Sequence, residues 1–113
     1  MQEQVTHIVH DRTNDHQRTI GYRIQDNANN SLKVICAETR CHPNDNFNRR
    51  VARGHVNCRL DSYQKGARSP NLRVFEADIS MRTPTTASEY RELEQTLLLL
   101  SDYRLPRPAA LQE

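Results

Sequence analysis

The chain has 113 residues, a formal net charge of +2 and only 35% hydrophobic residues, so length allows one domain and composition a thin core. Its 16 basic and 14 acidic residues exclude a strongly acidic surface, and they lack the basic excess that announces a nucleic-acid binder. No run reaches the roughly 18 apolar residues of a membrane span, and the start MQEQVTHIVHD has neither the basic nor the apolar region of a signal peptide.

Residues 5–12, VTHIVHDR, mix β-branched and apolar residues and read as a strand, with His7 and His10 on opposite faces. Residues 18–25 put Ile20, Tyr22 and Ile24 on one face and Gly21 and Arg23 on the other. DNANNS is a turn, because Asn and Asp tolerate left-handed backbone. Residues 31–39 then carry Leu32, Val34 and Cys36 on one face and Ile35 and Ala37 on the other, the pattern of a strand buried on both sides. Three strands with short polar connections predict an antiparallel meander.

CHPNDNFNRRVARGHVNCRL follows. Pro43 restrains the backbone, and Asn44 or Asp45 can cap a helix spanning 45–60. Phe47, Val51, Gly54 and Cys58 recur at helical spacing as its apolar face, with Gly54 as a point of close approach to the sheet. Arg49, Arg50 and Arg53 lie on the other side. YQKGARSPN is a loop. Residues 72–81, LRVFEADISM, alternate as a strand expected at the centre of the sheet or at an interface. Thr86 and Glu89 form a capping box for a second helix, 86–103. Its Tyr90, Leu93, Leu97 and Leu100 share one face, and the run Leu97 to Leu100 widens that face enough for a partner subunit. Residues 1–104 thus read as a single α+β domain, an antiparallel sheet of about four or more strands packed with two helices, and 105–113 as an extended C-terminal tail.

Four chemistries compete for the middle stretch. Cys36, Cys41, His42, His55 and Cys58 lie close in sequence, and zinc takes four such ligands. No C-x-x-C pair occurs, however, so Cys41, His55 and Cys58 remain weak metal candidates and no metal or cofactor is expected. Catalysis by a Cys–His pair lacks a nucleophile loop, and only three glycines are present, none in a phosphate cradle, so no enzyme is expected. Anion binding fits better. A helix N-terminus supplies free N–H groups, and Arg49, Arg50, Arg53 and then Arg59 follow it, with Phe47 or Tyr22 as an aromatic neighbour. Arginine is the side chain for bidentate phosphate contact, and only Lys33 and Lys65 among the basic residues are lysine. A solvated helix face is the competing reading. Fourth, a small polar domain without a catalytic motif suits a protein-binding module.

SLKVICAETRCHPNDNFNRRVARGHVNCRL, about 30 residues, resembles small phage and prophage proteins in which a strand ends in a Pro/Asp turn and a helix opens on Asp-x-Phe with basic residues. The first type of the phage anti-Thoeris sponge family has this look, although Arg53-Gly54 inverts the Gly-Arg order of that family. The resemblance implies a homo-oligomer, cytoplasmic in the bacterial host, that sequesters a nucleotide signal, and it points to Asp45, Phe47, Arg49, Arg50 and Arg53 as ligand-binding. The expected partners are therefore a nucleotide-type small molecule or, in the alternative, a host defence protein contacted directly, as by an anti-CRISPR or anti-restriction inhibitor. A small nucleic-acid-binding protein is the second alternative. The three cysteines, without a secretory signal, are expected to be free thiols in the cytoplasm.

Overall fold

A computed structural model describes residues 5–11, 17–27, 31–40, 48–68 and 72–104. The strands are β1 (His7–Asp11), β2 (Arg18–Asn27), β3 (Ser31–Arg40) and β4 (Val74–Ile79), and the helices are α1 (Arg49–Gln64) and α2 (Ala87–Arg104). They form an α+β domain. The strands make one antiparallel sheet in the order β1-β2-β3-β4. The expected meander is present. Chain order and sheet order coincide, so among the described residues β4 lies at an edge of the sheet and not at its centre, the first of the two places expected for it.

Alternation along β2 and β3 divides the core in two. Ile20 and Tyr22, with Val34, Cys36, Phe75 and Ala77, pack under Leu93 and Leu97 of α2. Ile35 and Ala37 face the opposite way and pack with Val56 and Leu60 of α1. The helices therefore cover opposite faces, and β3 is buried on both, as its pattern predicts. The wide leucine face of α2 is largely used within the chain. Leu98 and Leu100 pack against the first cluster, which leaves Leu99 and Tyr103 exposed.

Helix α1 corrects the sequence reading in two ways. Its cap is Asn48, whose side chain accepts from the amides of Arg50 and Val51, and the helix runs on to Gln64. Its buried stripe is Ala52, Val56 and Leu60, so the expected face is out of phase. Val51 is 54% exposed, Cys58 is exposed, and no atom lies within 4 Å of a Cβ built on Gly54. The close approach is made by Gly21 of β2, where an added Cβ would stand 2.7 Å from Val56 Cγ2. At α2 Thr86 caps the helix as expected, with Glu89 N–H donating to Thr86 Oγ1, while the Glu89 carboxylate accepts from Thr85 N–H, one residue before the cap. No described helix is long and apolar enough to cross a membrane.

Candidate functional site

Two sets of arginines stand out, one on each face of the sheet. On the α2 face they are internal. Arg18 is 3% exposed. Its Nε donates to Asp11 at 2.7 Å, and Nη1 donates to Ser101 at 2.8 Å and to Asp102 at 2.5 Å. One planar fork therefore ties β1, β2 and the last turn of α2 together. Burial works against the Arg18 cation, but Asp11 and Asp102 outweigh it and hold its pKa above the ordinary value. Arg40 pairs with Glu38 on the same face of β3. A cleft of about 310 Å³ opens beside Arg18, between Val9, Leu98 and Leu99, and its charged walls are this same Asp11–Arg18–Asp102 group.

Glu38 is fully buried, and its Oε2 has no hydrogen-bond partner among the described residues. Burial pushes its carboxyl pKa up, against the pull of Arg40, Arg18 and Arg73. A carboxyl raised in the folded state holds its proton more tightly there than in the unfolded chain. Its contribution to stability is therefore greatest in acid and declines as pH rises from the ordinary glutamate range to the raised folded value. The stability difference between Glu38→Gln and the parent should shift in favour of the variant over that interval. Urea midpoints at a series of pH values read the difference, and a constant one would refute the assignment.

On the α1 side the arginines are arranged differently. Arg53 and Arg49 precede Val56 by three and seven residues, so they continue the stripe of Val56 and Leu60 toward the helix N-terminus. Both are exposed where that stripe is otherwise buried. Val56 lies over Gly21, and Arg23, two residues on, donates to Asn57, Asp61 and Gln64. In the first turns of α1 Ala52 alone is buried, and Arg49 and Arg53 on either side of it stand in solvent. Arg50 stands exposed beside them. No acidic residue lies in the first turn, and Arg49, Arg50 and Arg53 make no ion pair among the described residues.

The other expected participants separate. Arg59 is half-buried and donates to the Glu38 carbonyl. Burial, then the neighbouring Arg73, lowers its pKa. Tyr22 is fully buried on the α2 face, with its hydroxyl donating to Glu94 at 3.0 Å, and cannot join the α1 arginines. Burial, then Glu94, pushes its pKa up. Asp45, Phe47, Cys41 and His42 lie outside the described residues. Cys36 is in the core, His55 and Cys58 are exposed on α1, and no three His, Cys, Asp or Glu side chains converge among the described residues. The buried Arg18 and Glu38 were missed as structural charges. Their signal was phase: Arg18 alternates with Ile20 and Tyr22, and Glu38 with Val34 and Cys36.

No family model, curated protein or solved structure matches the chain.

Proposed function

We propose that the protein is a non-enzymatic binder of a nucleotide-type anion, acting as a phage-type inhibitor that sequesters a host defence signal in the bacterial cytoplasm, with copies of the chain assembling as a homo-oligomer. The observation that carries the reading is the exposure of Arg49, Arg50 and Arg53 on the first turns of α1, unpaired by acids among the described residues. Most arginines on the other face of the sheet hold carboxylates, and these do not. Exposed guanidinium forks suit phosphate oxygens. Asp45 and Phe47, placed in sequence between β3 and α1, belong to the same site in this reading, on the strength of the resemblance to the anti-Thoeris sponges.

Titration calorimetry of the purified chain against cyclic nucleotides and cyclic ADP-ribose isomers tests it. At least one compound should bind with a dissociation constant below tens of micromolar, and Arg49→Gln/Arg53→Gln should weaken it by about tenfold or more, roughly 1.4 kcal/mol. Silence across the panel would sink the reading. Direct contact with a host protein is favoured instead by the side chains of Leu99 and Tyr103, 61% and 86% exposed. In that case Leu99→Asp would abolish capture of the defence complex while the arginine variant left it intact.

A further inference from the structure

Among the described residues the sheet has two outer edges, β1 and β4, and they differ in how they would meet a further strand. An edge is a template for pairing unless charge, proline or a bulge blunts it. β4 is blunted. Glu38 N–H donates to the Arg73 carbonyl. By the alternation of an antiparallel ladder, Phe75, Ala77 and Ile79 then bond to β3, and Val74, Glu76 and Asp78 turn their amides and carbonyls outward. Two acids therefore stand along that edge. β1, HIVHD, has no lysine or proline and pairs with β2 residue for residue, without a bulge. Its one acid, Asp11, is buried and held by Arg18.

Two copies of one strand pair edge to edge only in certain registers. In an antiparallel pair, residues opposite each other both turn their amides toward the partner or both away. A strand that meets its own copy therefore sets odd-numbered residues against odd and even against even. β1 has five residues, so all of them pair when a two-fold axis passes through Val9. Val9 then meets Val9, Ile8 meets His10, and His7 meets Asp11 on each side of the axis, an imidazole against a carboxylate. β4 has six residues and no central one, so it cannot pair along its whole length. Its nearest registers set Glu76 against Glu76 or Glu76 against Asp78, and like charges directly opposite are unfavourable.

The surroundings of β1 fit the same partner. The cleft of about 310 Å³ beside Arg18 takes its apolar walls from Val9 of β1 and from Leu98 and Leu99 of α2. Leu99 is exposed, and so is Tyr103, one turn further along α2. A five-residue strand pair alone falls short of the roughly 1,600 Å² of a standard interface, so apolar cover from α2 is needed as well. An axis through Val9 keeps both α2 helices on one face of the joined sheet and brings the two clefts, each walled by Val9, next to each other.

We propose that β1 is the subunit interface of this chain: a second copy adds its own β1 antiparallel about a two-fold axis at Val9, and Leu99 of each copy packs across the joined clefts. The inference rests on the homo-oligomer of the reading above and is independent of its ligand.

Sedimentation equilibrium of the full chain, crosslinking with a short bismaleimide and amide exchange test it. The parent should be a dimer at tens of micromolar, and protection of the β1 amides should rise with concentration. In a Cys41→Ser/Cys58→Ser background, Val9→Cys should crosslink to a dimer, because Cβ atoms directly opposite lie about 5 Å apart, and Glu76→Cys should not. Leu99→Arg should weaken the dimer about tenfold. A crosslink from Glu76→Cys and none from Val9→Cys would give the interface to β4. A mass above the monomer with neither crosslink would also overturn the inference. So would a monomer at every concentration, and nucleotide binding by that monomer would leave the anion reading standing. A monomer that loses capture of a host complex on Leu99→Asp assigns the cleft to a host protein instead. Should the Val9 variant fail to fold, the concentration dependence of β1 protection in the parent decides.

Discussion

Arg18→Met should lower the unfolding free energy by about 3–5 kcal/mol, the cost of removing one partner from a buried ion pair. Methionine fills much of the volume, so the loss is electrostatic rather than a cavity. Asp11, 7% exposed, loses the guanidinium that offsets its desolvation. The variant also removes the donors to Ser101, Asp102 and the Leu98 carbonyl, so the last turn of α2 comes free of β2. Urea unfolding should show a midpoint lower by more than about 1 M. Hydrogen exchange should be fastest at the C-terminal end of α2 and slowest to change at Leu93. Arg18→Lys should recover only part of the loss, because one ammonium cannot reach Asp11 and Asp102 with the geometry of the fork. Adding Asp11→Asn to Arg18→Met should cost less than the sum of the two changes. A loss under about 1 kcal/mol for Arg18→Met would mean that the leucine contacts alone hold α2.

How far the sequence showed this depends on where apolar and charged residues share a phase. β2 and β3 were legible because alternation is a period of two and both faces of β3 carry apolar residues. α2 was legible because the Thr86 cap fixes its start and leucines repeat on the buried side. α1 was read out of phase for a physical reason. Its buried stripe of Ala52, Val56 and Leu60 opens between the exposed Arg49 and Arg53, so charge breaks the apolar pattern where the helix begins. Val51 and Cys58 offered a competing apolar line that the fold leaves in solvent. The arginine cluster was legible as residues, but its direction was not. Which side chains of α1 stand in solvent depends on how the helix is phased on the sheet, and the approach of Val56 to Gly21 fixes that phase. The edge position of β4 was hidden because Phe75, Ala77 and Ile79 are as apolar as a central strand, and α2 covers them from one side.

Gly21→Ala should destabilise the fold by about 1–3 kcal/mol, the range for overpacking a filled core. The new methyl would stand 2.7 Å from Val56 Cγ2, 3.0 Å from Val56 Cβ and 3.4 Å from Ile8 Cδ1. Val56 cannot turn aside cheaply, since a β-branched side chain on a helix has essentially one rotamer. Relief must come from lifting α1. That movement separates Val56 and Leu60 from Ile35 and Ala37. Val56→Ala alone should cost roughly 2 kcal/mol for the lost methyl groups and the space they leave. The double variant should be more stable than the sum predicts, because the alanine methyl at 21 occupies the space vacated at 56. Additive costs would show that the close approach at Gly21 is not what seats the helix.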